Sequence, residues 1–226
     1  GASALLSITD GGENVAIGDA TGDALTTGHN NVFVGRAAGS ATVEVSDAVI
    51  IGADAAESNM TTAANGTVAV GKAALAALTS GAENVAVGHE ALNDLTTGGA
   101  NVAIGYRAAD ALAVGESHNI AIGSNAMEAV DEGTAGGDAD NNIAIGNQAL
   151  TANTTGSSNV AIGYAAMSTA NHSSFTHNIA IGKNALNTTG TNGSTGNIAI
   201  GTDALTDQTS GTANVAIGQL AGANTV

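Results

Sequence analysis

Four stretches of the sequence carry residue types able to do chemistry. Gly66, Gly71 and Lys72 have the Gly-x-x-x-x-Gly-Lys spacing of a phosphate-cradling loop. Ala73 stands where the Mg²⁺-binding hydroxyl belongs, and Gly71 lies at a position where glycine recurs along the whole chain, so nucleotide binding is rejected. His89-Glu90 opens like a zinc-protease helix, but Asn93 occupies the place of the second histidine. Of the five histidines (His29, His89, His118, His172 and His177), His172 and His177 are the one close pair, with no third ligand at matching spacing. The last stretch is an acidic, Gly-rich insertion over 131–141, where Asp131, Glu132, Asp138 and Asp140 gather hard oxygen ligands suited to Ca²⁺. The spacing departs from an EF-hand, and a solvated loop is the simpler account. No nucleophile elbow and no pocket-forming carboxylate pair occurs, so the expectation is a non-enzyme with no cofactor beyond that calcium candidate.

The elements that carry these residues are repeats. A β-branched residue, a small residue, a second β-branched residue and then glycine recur twelve times, with the glycines at Gly18, Gly35, Gly52, Gly71, Gly88, Gly105, Gly123, Gly146, Gly163, Gly182, Gly201 and Gly218. Alternation of period two predicts a strand in each copy. Ala is the small residue in all but two copies, where Phe33 and Ile50 stand, which suggests close approach on that strand face, either within one coil or by a neighbouring subunit. Three residues after each glycine comes Ala, except at Thr21, usually followed by Leu or Met, so each coil has a second inward-facing segment. Thr-Thr-Gly and Thr-Ser-Gly turns, such as Thr96 to Gly98, close many of the coils.

Asn precedes the strand in most copies. Stacking would turn Asn84, Asn101, Asn119, Asn142, Asn159, Asn178, Asn197 and Asn214 into a structural ladder of side-chain amides, as Asn14 and Asn31 would be near the start. The fold class expected is therefore all-β, a parallel β-solenoid of about twelve coils and one domain over 1–226, roughly 55 to 60 Å long at a ~4.8 Å rise per coil.

Composition limits the partners. The 226 residues hold 4 Lys and Arg against 20 Asp and Glu, a net charge of −16, which excludes neutralising a nucleic-acid backbone. There is no Cys and no Pro, and the aromatics are Phe33, Tyr106, Tyr164 and Phe175, so the core must be built from Val, Ile, Leu and Ala. No apolar run approaches the ~20 residues of a membrane span, and Gly1 to Leu6 lack a basic leader, so membrane insertion is not expected and the chain reads as mature or excised. Six glycosylation sequons begin at Asn59, Asn65, Asn153, Asn171, Asn187 and Asn192.

The unit resembles the head repeat of trimeric autotransporter adhesins, where Val-Ala-Ile-Gly is followed by a Gly-x-x-Ala step. It resembles still more the related repeats of phage and marine virus tail-fibre-like proteins, through Asn153 to Gly156 and Asn159 to Tyr164. The resemblance covers about Gly12 to Gly222. It implies a left-handed β-roll assembled as a homotrimer, an extracellular, cell-surface or virion location, and attachment to a host-surface or matrix receptor, with a glycan among the candidates. Variable turns, including Phe175 between His172 and His177, are where a binding site is expected. The alternatives are a self-assembling filament stacked end to end, since Leu5, Leu6 and Ile8 at one end and Leu220 at the other are apolar, and an ice-binding solenoid, against which the Thr residues form no unbroken double column.

Overall fold

The computed structural model describes residues 1–128, 139–152, 156–169, 175–187, 194–206 and 211–223. It is a β-solenoid. Twelve three-residue strands, Val15–Ile17, Val32–Val34, Val49–Ile51, Val68–Val70, Val85–Val87, Val102–Ile104, Ile120–Ile122, Ile143–Ile145, Val160–Ile162, Ile179–Ile181, Ile198–Ile200 and Val215–Ile217, form one parallel sheet in chain order. Register is never lost: the first branched residue of each strand lies opposite the first of the next, as in Val102↔Ile120 and Ile120↔Ile143. Thr62–Ala64 is a short 3-10 turn, and Ser194–Thr195 pairs with Gly211–Thr212 in a second small sheet.

Constant register demands that extra residues leave the ladder at one place. The coil between Gly52 and Gly71 is two residues longer than its neighbours, and it absorbs them in the 3-10 turn, which Thr61 caps by accepting from the Ala63 N–H. The strand that follows pairs as all the others do.

The middle residue of the strand faces the interior. Ala69, Ala86, Ala103, Ala121, Ala144, Ala161, Ala180 and Ala199 are buried, as are the second-segment alanines and Leu75, Leu92, Met127, Leu150, Met167 and Leu186 behind them. Close packing within the coil is thus what keeps the strand residue small; no subunit reaches that face. The two branched residues of every strand face outward instead and are partly exposed in most coils, rising to 40% at Ile104 and to 61% at Ile17 in the first strand.

The exceptions to Ala carry their own compensation. Phe33 is fully buried because Gly22 and Gly39 stand where every other coil but the last holds Ala, Leu or Met: a Cβ on Gly22 would lie 2.6 Å from Phe33 Cδ2, and one on Gly39 3.3 Å from its Cε1. The coil of Ile50 likewise has the small Ala56 at that position. A large residue at the strand centre is thus matched by small residues on the facing segment, as dense packing requires.

Backbone strain is regular as well. Each coil takes a left-handed conformation just before the ladder position and again two and four residues after the repeat glycine, usually without glycine, as at Ala100, Arg107 and Ala109. Such residues cost about 1–2 kcal/mol each, and they hold because the inter-coil hydrogen bonds fix them on both sides.

Candidate functional site

Stacking places the chemistry in columns. The first is the buried ladder ahead of the strand. Asn101 Oδ1 accepts from the Asn119 backbone N–H at 3.0 Å, and Asn101 Nδ2 donates to Asn84 Oδ1 at 3.1 Å and to the Glu116 carbonyl at 2.8 Å. The same amide-to-N–H bond links Asn119 to Asn142, then Asn159, Asn178, Asn197 and Asn214. Asn14, Asn31 and Ala48 repeat it near the start. These amides are sealed from solvent from Asn31 to Asn197, so they bind the coils to one another and offer nothing to a ligand. Asn119 Nδ2 is buried without a partner; other ladder amides meet the carbonyl three residues before the next ladder position, as Asn84 meets Gly98 and Asn159 meets Phe175, and across the coil after Asn119, the longest between ladder positions, that bond to Ala139 is not made.

The second column follows the repeat glycines. The N–H two residues after each glycine donates to the carbonyl one residue after the preceding glycine, as in Arg107 to His89 at 3.0 Å, Asn125 to Tyr106 at 2.9 Å and Asn184 to Tyr164 at 3.0 Å. The corner residues are therefore stacked rung on rung. All four basic residues, Arg36, Lys72, Arg107 and Lys183, sit on this corner, together with His89, Tyr106 and Tyr164. His89 stacks on Tyr106 in the next coil with centroids 5.6 Å apart and an interplanar angle of 22°.

Arg107 is the centre of an ion cluster over three coils. Its guanidinium meets Asp110 at 2.6 Å, Glu128 at 2.7 Å and Glu90 at 3.6 Å. The hydrogen bond and charge of Asp110 raise the Arg107 pKa. Burial outweighs that pairing at Asp110 itself and holds its carboxyl above the ordinary carboxylate range, because the acid is nearly sealed while the guanidinium is half in water. Sequence reasoning missed this corner, although one regularity marks it: every basic residue lies one or two positions after a repeat glycine.

The remaining candidates do not converge. Asp131, Glu132, Asp138 and His172 lie outside the described residues. Asp140 Oδ1 is a structural acceptor, taking the Ser117 backbone N–H at 2.7 Å. No group of three or more His, Asp or Glu able to hold a metal ion occurs among the described residues. Phe175 is not a presented aromatic, contrary to expectation: it is 2% exposed, and its carbonyl accepts from Asn159 Nδ2 at 2.7 Å, because a large apolar side chain beside a buried ladder packs inward. Gly71 and Lys72 are repeat positions of the corner column, and a Cβ on Gly71 would strike the carbonyl of Gly88 in the next coil. That steric demand is why glycine recurs here, with no phosphate involved.

No helix of the described residues is long and apolar enough to cross a membrane. Comparison with protein-family models, with curated proteins and with solved structures returns no match.

Proposed function

We propose that this chain is a rod segment of an extracellular or virion fibre of the adhesin or tail-fibre kind, assembled as a homotrimer and serving surface attachment. The outward branched face carries the proposal. Each of the twelve strands turns two Val or Ile side chains, or one of each, away from the core. At ~4.8 Å per coil and ~10 Å across each strand, the strip covers on the order of 550 Å². A monomer's largest apolar patch is ~300–600 Å², and a specific interface buries ~800 Å² per partner. The strip is therefore near the upper limit for a free surface and about two-thirds of what one standard interface buries on each partner.

The face is straight, in register and unbroken by charge, which suits a copy of the same rod laid alongside. A solenoid with no catalytic constellation among its described residues fits a scaffold better than an enzyme. In a fibre, many weak contacts along the rod would add through multivalency.

Light scattering tests the reading. The expected solution mass is three times 21.5 kDa, and Ile104→Lys with Ile122→Lys, both outward, reduces it to the monomer without loss of β structure by circular dichroism. A parent chain that is already monomeric refutes the trimer. Long polymers that survive both substitutions point instead to end-to-end stacking.

A further inference from the structure

The ladder ahead of the strand breaks at one place. From Asn84 to Asn214 each amide oxygen takes the backbone N–H of the next ladder position, and the same bond joins Asn14 to Asn31 and Asn31 to Ala48. Between these runs stand Ala48, which has no amide, and Thr67, whose hydroxyl donates to the Ala64 carbonyl of its own coil at 2.8 Å. Asn84 Nδ2 likewise turns back to the Gly81 carbonyl of its own coil at 3.0 Å, besides reaching Gly98 at 2.8 Å. The backbone N–H groups of Thr67 and Asn84 are left without an acceptor among the described residues, although both residues are fully buried. Coil length is not the cause, since the bonds from Asn159 to Asn178 and from Asn178 to Asn197 each span 19 residues, as Ala48 to Thr67 does. Only backbone carries the strand side of the stack across the break: the Val49 N–H reaches the Thr67 carbonyl at 2.9 Å and the Val68 N–H the Asn84 carbonyl at 2.8 Å.

We infer that the rod has a joint between Ala48 and Asn84, at which the coils before it open as one unit ahead of the rest. The stability of a stacked repeat is close to the sum of its coils and of the contacts between neighbours, so the stack parts where a contact is weakest. A buried N–H with no acceptor carries its full desolvation penalty, and here two such groups fall on successive boundaries. The other irregular features of this part of the rod lie in the same coil: the 3-10 turn Thr62–Ala64 and Ile50 in place of the inward Ala. Opening at the joint releases the strands Val15–Ile17, Val32–Val34 and Val49–Ile51, while those from Val85 onward keep an unbroken ladder. Sub-global opening of contiguous units is the ordinary way in which a native structure yields. In a rod under tension such a joint gives first and lengthens the chain without parting the remaining coils.

Hydrogen exchange of the full chain in urea below its unfolding midpoint, read peptide by peptide in a mass spectrometer, locates the joint. The amides of Val15–Ile17, Val32–Val34 and Val49–Ile51 are expected to exchange together, about tenfold or more faster than those of Val85–Val87 and Val102–Ile104, the factor that one missing buried hydrogen bond supplies. Fraying from the end would instead give protection that climbs coil by coil with no step. Ala48→Asn with Thr67→Asn restores both caps, in the way that Asn101 caps Asn119, and is expected to raise protection of the first three strands about tenfold and remove the step. The converse variant, Asn101→Ala with Asn119→Thr, transfers the break and is expected to set a second step between Val102–Ile104 and Ile143–Ile145.

Three results overturn the joint: exchange in the parent graded from the end with no step after Val49–Ile51, a repaired chain that folds and keeps the step, or a transferred break that leaves the strands on its two sides equally protected. If the repaired chain does not fold, the converse variant decides. The joint rests on the ladder alone, so a parent chain that proves monomeric sinks the trimer and leaves the joint standing.

Discussion

Replacing Gly105 by Ala adds one methyl group between two coils. The φ of Gly105 is +141°, and the new Cβ would lie 2.5 Å from the Gly123 carbonyl oxygen and 2.6 Å from its carbon. Two penalties follow, and they are separable. Holding a side chain in that backbone region costs about 1–3 kcal/mol. Carbon atoms pack at ~3.5–4.0 Å, so the coils must also part locally by about 1 Å. That movement takes Gly123 N–H to Ile104 O, now 2.8 Å, and Asn125 N–H to Tyr106 O, now 2.9 Å, past useful length. At a net ~0.5–1.5 kcal/mol each, their loss brings the expected total to about 4 kcal/mol.

Gly115 supplies the control, with φ +92° and nothing within 4 Å of its Cβ position. Gly115→Ala therefore carries the backbone penalty of ~1–3 kcal/mol alone. Urea unfolding followed by circular dichroism compares the two variants. Amide exchange at Gly123 and Asn125 guards against coil-by-coil opening, which a stacked repeat allows. If Gly105→Ala is no less stable than Gly115→Ala and the two amides remain protected, the claim that glycine recurs because the coils stack too closely for a Cβ is wrong.

Two further outcomes follow from the columns. Asn101→Ala leaves a buried N–H at Asn119 and a buried carbonyl at Glu116 without their partners, an expected loss of about 2–4 kcal/mol in urea unfolding at neutral pH; a variant within ~0.5 kcal/mol of the parent, the scatter ordinary for surface substitutions, would show the ladder to be ornamental. At Asp110 the folded pKa is raised, so the native state holds the proton more tightly than the unfolded one, and ionising the acid removes stability as pH rises through the folded value. Asp110→Asn is accordingly expected to melt higher than the parent at pH 7, with the gap closing on acidification below the folded pKa. A gap that widens in acid reverses the sign of the argument.

The fold was legible because the repeat fixed both period and register. The Val-Ala-Ile-Gly alternation marked the strand, and the Asn before it is the residue whose amide meets the next coil's N–H. Which strand face turns inward was not legible. Hydrophobicity alone would bury Val102 and Ile104 rather than Ala103, yet the coil has room at the strand centre only for a methyl group unless small residues vacate the facing segment, as Gly22 and Gly39 do for Phe33 and Ala56 for Ile50. Phe175 misled for the same reason: an aromatic between two turn histidines suggests display, whereas its neighbours in space are set by the coils above and below. The Arg107 cluster joins residues 17 to 21 positions apart, Glu90 before it and Glu128 after it, a separation that means contact only once coil length is known.

A stack of interchangeable coils has no one place where recognition must occur, and this bears on where to search. Positions that repeat faithfully, the glycine, the inward Ala and the ladder Asn, answer to contacts between neighbouring coils and are constrained equally in every rung. The branched outward pair is nearly as uniform, which is what a long contact with an identical rod would demand. Identity varies freely on the corner after the glycine, where Asp19, Arg36, Ala53, Lys72, His89 and Tyr106 succeed one another on the same backbone geometry. Backbone hydrogen bonds hold that corner whatever side chain it carries, so ion pairs such as Arg107 with Glu128 add to the stack without being required in every rung. A recognition surface can change there without disturbing a strand, so this corner is where a search for one should begin.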